Sequence, residues 1–153
     1  YQNPQLGKTR LDAAVKKIKE YQQTDPANMA AIGYCFGGSV VLNSAKLGSD
    51  LKGVVSFHGL LKNPKIPGKN SIKAKILALH GHDDPMVNPA EAQDFMSEMT
   101  EAKADWQMHT YGNTMHAFTN PLANDRSFGT VYNEKAAERS FKSMRNFFEE
   151  VFS

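Results

Sequence analysis

Short apolar runs alternate along this chain with longer segments in which apolar residues recur every three or four positions. Four runs have the length of a buried strand and lie at residues 29–34, 54–57, 75–80 and 106–111. Segments with helical spacing lie at residues 9–24, 39–47, 89–102 and after residue 133. Strands that alternate with helices predict an α/β fold, with an open, mostly parallel sheet and flanking helices.

Two other segments are expected to be loops. Residues 1–8 precede the first helix, and residues 59–73 are rich in proline, glycine and lysine. A loop as long as the second one is commonly functional. In the last helix the spacing predicts that five residues face the core: Ala137, Phe141, Met144, Phe148 and Val151.

The turn between the first strand and its helix carries the first candidate chemistry. It reads Gly33-Tyr34-Cys35-Phe36-Gly37-Gly38, which is too short for anything but a sharp strand-to-helix reversal. Gly33 and Gly37 lack a Cβ and are expected to let two backbone segments approach closely. The spacing is that of a nucleophile elbow with cysteine in place of serine, so Cys35 is the predicted nucleophile. The backbone N–H of Phe36 is the predicted oxyanion donor. The alternative is a small buried cysteine at a glycine-rich turn.

Polar residues follow two more of the predicted strands. In open parallel sheets the site lies beyond the carboxyl ends of the strands. Asp83 and Asp84 come after the third strand, and His116 follows the fourth. The order nucleophile, acid, histidine is that of the α/β-hydrolase triad, in which the histidine moves protons and the acid fixes its tautomer. Asp84 is assigned as the acid, with Asp83 as the competitor. Taken alone, His116 would be a solvated loop histidine.

These motifs together resemble one known family. Gly33-Tyr34-Cys35-Phe36-Gly37-Gly38, Gly81-x-x-Asp84-x-x-Val87 and Tyr111-x-x-x-x-His116-Ala117-Phe118 are similar to the motifs of the dienelactone hydrolase family, over about residues 11–152. The resemblance implies an α/β-hydrolase fold and a Cys-Asp-His triad of Cys35, Asp84 and His116. It also implies hydrolysis of a small ester or lactone through an acyl-enzyme, without metal or other cofactor.

The chain departs from that family in two ways. The family's domain is longer at its amino-terminal side, so residues 1–153 are expected to be the carboxyl-terminal portion of one such domain and incomplete as an enzyme. The second oxyanion donor and an acidic residue near the resting thiol are expected upstream. Where the family's type enzyme has an arginine for a substrate carboxylate, this chain has Asn120, which cannot form a bidentate fork. Arg126 on the same loop is a candidate replacement, and Tyr34 is a third candidate substrate contact.

Other classes of function were weighed on the same residues. A metal site could use His58, His80 and His82 with Asp83 and Asp84, but a strand-exit loop explains these residues without metal. A binding-only relative with the same fold is a second alternative. A thiol redox role lacks a resolving cysteine, because Cys35 is the one cysteine of the chain.

Composition adds limits on partners and location. The 153 residues are 41% hydrophobic, which suits a single core, and the formal charge of +2 gives no electrostatic case for nucleic acid or a membrane surface. No apolar run is long enough to span a bilayer. One cysteine favours a reducing compartment such as the cytoplasm. A periplasmic or secreted location stays open because the sequence begins at Tyr1. The oligomeric state stays undetermined.

Overall fold

The fold is a four-stranded parallel sheet with helices on both faces, seen in a computed structural model that describes residues 3–62, 68 and 70–153. The strands lie in the order β1-β2-β3-β4 and comprise β1 (Ala30–Tyr34), β2 (Gly53–Phe57), β3 (Lys75–Gly81) and β4 (Trp106–Tyr111). The helices are α1 (Pro4–Ile18), α2 (Phe36–Lys46), α3 (Pro89–Glu101) and α4 (Glu134–Val151). A small antiparallel pair, β5 (Asn124–Asp125) and β6 (Thr130–Val131), precedes α4. The predicted α/β class is confirmed.

Each face of the sheet has its own apolar core. Val54 and Ile76 point to the face covered by α1, α2 and α3, whereas Val55 and Leu77 point to the face covered by α4. Strands buried on both faces need continuous apolar sequence, and this explains why the runs at β2 and β3 lack alternation. β1 lies at one edge of the described sheet, where the side chains of Ile32 and Tyr34 are exposed.

The amino-terminal segment differs from its prediction as a loop. Helix α1 begins at Pro4, and the Oδ1 atom of Asn3 accepts a hydrogen bond from the N–H of Leu6 at 2.9 Å. Asparagine at the N-cap followed by proline at the first helical position is a strong start signal, because proline lacks the N–H that would otherwise be unpaired. The helix ends at Ile18, earlier than predicted. Residues 1, 2, 63–67 and 69 of the two predicted loops lie outside the described residues.

The core-facing side of α4 agrees with the predicted one except at Phe141. Its buried residues are Ala136, Ala137, Ser140, Phe147 and Val151. Phe141, predicted to face the core, is 41% exposed and lies at the margin with its ring 5.5 Å from that of Phe57. Of the other predicted residues, Ala137 and Val151 are buried and Met144 and Phe148 pack against the same core, so the prediction is wrong only at Phe141.

The turn from β1 to α2, residues 33–38 and hereafter the elbow, depends on two of its three glycines. A Cβ on Gly33 would lie 2.1 Å from the carbonyl oxygen of Gly37, and one on Gly38 would lie 2.6 Å from the Oγ of Ser56. A Cβ on Gly37 would meet nothing within 4 Å. The prediction that the missing Cβ is required therefore holds at Gly33. It is wrong at Gly37, which takes part in the close contact only through its backbone carbonyl group.

This difference predicts opposite outcomes for two matched substitutions. Gly33→Ala should lower the free energy of unfolding by about 1–3 kcal/mol or more, because the new Cβ would meet backbone atoms, which shift less readily than the end of a side chain. Gly37→Ala should leave it unchanged or raise it by up to about 1 kcal/mol, because alanine is favoured over glycine inside a helix. Urea unfolding of both variants measures this, and equal losses would show that the close approach does not constrain the elbow.

Candidate active site

Cys35 lies at the junction of β1 and α2, at the carboxyl end of the sheet. It is the N-cap residue of α2 and has φ 49° and ψ −120°, a conformation that non-glycine residues rarely adopt. Its N–H donates to the carbonyl oxygen of Phe57 at 3.1 Å, which continues the pairing of β1 with β2. The thiol is half-buried at the amino-terminal end of the helix.

Asp84 and His116 form a buried pair beside this junction. The Oδ2 atom of Asp84 lies 2.7 Å from Nδ1 of His116, and both side chains are almost fully buried. The Oδ1 atom of Asp84 accepts a hydrogen bond from the N–H of Met86 at 2.9 Å. Asp83, the competing acid, is exposed. Of the two carboxylates on this loop, the structure therefore brings Asp84 to the histidine.

Backbone contacts hold the histidine loop against the acid loop. His116 donates its N–H to the carbonyl oxygen of Gly129 at 2.9 Å and accepts from the N–H of Val131 at 3.0 Å. Gly129 has φ 81°, and a Cβ there would lie 2.1 Å from Cγ of Pro85, the residue after Asp84. The β5–β6 hairpin thus fixes His116 from one side and rests on the acid loop from the other.

The structure adds a residue that the sequence analysis did not assign to the triad, His58. It follows β2 directly, is buried, and has φ 41°. Its Nδ1 lies 3.4 Å from Sγ of Cys35, and its Nε2 lies 2.8 Å from Oγ1 of Thr119. The rule that located Asp84 and His116, that polar residues after strands face the site, would have selected His58 had it been applied to the second strand.

The hydrogen bonds of His58 determine its tautomer. The backbone N–H of Cys35 lies 3.2 Å from Nδ1 of His58 and can only donate, so Nδ1 is the unprotonated acceptor. In the neutral ring Nε2 therefore carries the hydrogen and donates it to the hydroxyl of Thr119. A lone pair on Nδ1 consequently faces the thiol of Cys35.

Burial shifts the pKa values of two groups here. Desolvation raises the pKa of the Cys35 thiol, and the negative charge of Asp84 raises it further. Burial lowers the pKa of His58 to about 4, and a positive charge on His116 would lower it as well. At neutral pH the contact between Cys35 and His58 is accordingly one between a thiol and a neutral imidazole.

Three side chains of the site could also act as metal ligands. Cys35, His58 and His116 each offer one ligand atom, and these atoms lie within 4.8 Å of one another. Over residues 3–62, 68 and 70–153 this is the one such group of three or more. His80 and His82, named with the two aspartates in the metal alternative, do not form a second group among those residues.

The remaining predicted site residues lie around this centre. Phe36 is the first residue of α2, where helix N–H groups point out of the amino-terminal end. Tyr34 stacks on Phe57 with ring centroids 4.6 Å apart. Asn120 and Arg126 are exposed, and Oδ1 of Asn120 accepts from the N–H of Leu122 within its own turn. Their contact with substrate stays a prediction.

A cavity of about 430 Å³ lies between α1 and α2 and reaches the elbow. Leu6, Leu11 and Val40 give it an apolar lining, and Phe36 and Ser39 connect it to the start of α2. Arg10 adds one cationic group to its wall. The cavity is therefore placed to receive an apolar group adjacent to, but not containing, Cys35.

The depressed pKa of His58 predicts a pH dependence of stability. Below pH 6.5, the ordinary pKa of histidine, His58 binds a proton in the unfolded chain. In the folded protein His58 does not bind that proton until about pH 4. The free energy of unfolding should therefore fall between pH 6.5 and 4, with His58 contributing up to about 1.4 kcal/mol per pH unit. Urea unfolding across this range should show a shallower fall in His58→Gln and an unchanged one in His82→Gln, an exposed histidine. Identical slopes for wild type and His58→Gln would contradict the assignment.

Known proteins resemble this chain over nearly its whole length. The model of the dienelactone hydrolase family matches residues 2–152. A dienelactone hydrolase-like promiscuous phosphotriesterase from metagenomic libraries is 35% identical with a TM-score of 0.86, covering 95% of this chain and 61% of that one. A structure designated m3DLH is 34% identical with a TM-score of 0.91, covering 99% and 64%.

Curated sequences give a similar result. An uncharacterized protein of Caenorhabditis elegans is 32% identical, over 95% of this chain and 94% of that protein. A putative carboxymethylenebutenolidase of Aquifex aeolicus is 28% identical, over 90% and 58%. The chain thus spans less than two thirds of the latter and of both structures, but nearly all of the nematode protein. In the part of the chain that the structure describes, no helix is both long and apolar enough to cross a membrane. The chain belongs to the dienelactone hydrolase family.

Proposed function

We propose that this protein hydrolyses a small ester or lactone, with Cys35 as nucleophile, His116 as general base and acid, and Asp84 as the group that orients His116. The observation that carries the proposal is the buried Asp84–His116 pair at 2.7 Å, with a ring nitrogen of His116 within 4.8 Å of the Cys35 sulfur. Membership of the family and the carboxymethylenebutenolidase relative support the choice of carboxylic esters as substrates. No cofactor takes part in the proposed reaction.

The proposed steps follow from the protonation of His116. Because Asp84 accepts from Nδ1, the hydrogen of the neutral ring is on Nδ1 and Nε2 is the base. His116 takes the thiol proton, and the thiolate forms a C–S bond to the ester carbonyl carbon. The C–O bond then breaks, and the leaving oxygen takes the proton from His116. His116 then takes a proton from water, which attacks the thioester. The C–S bond breaks, the carboxylic acid is released, and His116 returns the proton to the sulfur of Cys35.

The amino-terminal end of α2 supplies stabilisation of charge. Negative charge on the thiolate, and then on the carbonyl oxygen, develops beside the N–H groups of the first turn, including that of Phe36. This matters because burial and Asp84 disfavour the thiolate in the resting protein. In the proposed cycle the thiol leaves His58 and turns toward His116, which takes its proton.

The alternative is a protein that binds a ligand without hydrolysing it. It would retain the pocket and family motifs while leaving the ester bond intact. Turnover of an ester separates these possibilities. The two aspartates of the acid loop then test the roles assigned to the site, since they are neighbours in sequence and of the two only Asp84 contacts His116.

The test is turnover of an activated ester by the purified protein and three variants. Cys35→Ala defines the background rate. Asp84→Asn should lower the turnover number by about 10²–10⁴-fold with a small change in KM, because an amide no longer fixes the tautomer and stabilises the imidazolium. Asp83→Asn should stay within about twofold of wild type.

Two results would contradict the proposal. Wild-type turnover no faster than Cys35→Ala would favour the binding-only alternative. A large loss in Asp83→Asn with none in Asp84→Asn would assign the orienting role to the other carboxylate. Thermal unfolding of each variant controls for loss of fold.

A further inference from the structure

Three potential metal ligands converge where the proposed reaction uses only two of them. Sγ of Cys35, a ring nitrogen of His58 and a ring nitrogen of His116 lie within 4.8 Å of one another, on three different loops at the carboxyl end of the sheet. We propose that these side chains form a binding site for Zn²⁺, and that zinc bound there reversibly inactivates the protein. The inhibition rests on the proposed function, whereas the binding does not.

Each of the two histidines has one unprotonated nitrogen that can bind a metal ion. The N–H of Cys35 donates to Nδ1 of His58, which places the lone pair of that nitrogen beside the thiol. Nδ1 of His116 is held by Asp84, which leaves Nε2 of His116 as its unprotonated atom. A metal ion therefore meets two ligands ready to bind and displaces one proton, from the thiol to solvent.

One pair of the ligand atoms already has the spacing that zinc requires. In a tetrahedral site with Zn–S near 2.3 Å and Zn–N near 2.0–2.1 Å, sulfur and nitrogen ligands are about 3.5 Å apart. Sγ of Cys35 and Nδ1 of His58 are already 3.4 Å apart. The His116 nitrogen lies within 4.8 Å of both atoms, so metal binding is expected to draw it closer to them. Cys35 also keeps a partner for its N–H when Nδ1 turns to the metal, because the carbonyl oxygen of Phe57 lies 3.1 Å away.

Both histidines have the outer partners that metal-ligating imidazoles require. Asp84 accepts from the far nitrogen of His116, and the hydroxyl of Thr119 accepts from the far nitrogen of His58. Such partners fix the ring orientation and raise the basicity of the ligating nitrogen. Sulfur and imidazole ligands select Zn²⁺ over Mg²⁺ or Ca²⁺, which prefer oxygen. Three protein ligands leave a fourth position for water.

Zinc and the proposed catalysis exclude each other. Coordination engages the sulfur that would attack the substrate and the nitrogen that would take its proton. Bound zinc should therefore lower the rate of ester hydrolysis, and a chelator should restore that rate.

The experiment measures binding of zinc alone to the purified protein, by competition with a chromophoric chelator and without substrate. We expect one zinc per chain, with affinity reduced by more than about 100-fold in Cys35→Ser, His58→Gln and His116→Gln, since losing a ligand costs more than losing an outer partner. Thr119→Val should weaken binding by about 10-fold or more, and Thr119→Ser should bind as wild type does. His82→Gln controls for an exposed histidine and should bind normally. Co²⁺ in place of zinc should give a thiolate-to-metal charge-transfer band that Cys35→Ser lacks.

Specific results overturn the inference. These are zinc affinity unchanged in His58→Gln or in Cys35→Ser, a stoichiometry well below one, or no cobalt–thiolate band. Turnover is measured separately in the presence of a chelator, so that failure of the hydrolase proposal and failure of the zinc site give different results. Thr119→Val keeps the test informative if a ligand variant does not fold, because it leaves all three ligands in place.

Discussion

The sharp reversal from β1 into α2 is the constraint on which the site depends. It holds Cys35 at φ 49° and ψ −120°, a conformation that costs a non-glycine residue about 1–3 kcal/mol. The reversal is possible because Gly33 lets the carbonyl group of Gly37 approach to a distance no Cβ would allow. The strained conformation positions the sulfur at the amino-terminal end of a helix and beyond the carboxyl end of the sheet. His58, which follows β2 directly, also has positive φ, so both residues of the Cys35–His58 contact have a backbone conformation that non-glycine residues rarely adopt.

Strand register then decides which side chains meet. Tyr34 pairs with Phe57 and Phe57 with Leu79 in the parallel sheet, so the residues that follow them, Cys35 and His58, leave adjacent strands at the same level. The acid and histidine loops are joined further out by the N–H of Asp83, which donates to the carbonyl oxygen of Thr114 at 2.9 Å. Cys35 therefore has two histidines near it, one fixed by strand pairing and one fixed by a hairpin. This arrangement separates a resting thiol, facing the neutral His58, from the Asp84–His116 pair proposed to activate it.

How far the sequence could predict this differs between the fold and the site. The fold class and the positions of Cys35, Asp84 and His116 at strand ends follow from apolar periodicity and from the order of the motifs, both of which are local signals. His58 was not assigned to the site because the strand-end rule was not applied to the second strand. Its contact with Cys35 depends in addition on the register of β1 against β2, which no local sequence pattern specifies. The side of α4 that packs on the sheet was predicted correctly except at Phe141, which lies at the margin of the core where apolar spacing does not distinguish a buried ring from a partly exposed one. The start of α1 was predictable from Asn3 and Pro4, and the loop assignment overlooked that signal.

The central claim is that the sulfur of Cys35 forms the covalent bond to the acyl group. Its most direct test is peptide mapping by mass spectrometry after the protein is mixed with a slow activated ester and quenched during turnover. One acyl adduct is expected, on the peptide that contains Cys35. It should be labile to hydroxylamine, as a thioester is, and absent in Cys35→Ala. An adduct on another residue, or equal turnover with no adduct on Cys35, would contradict it.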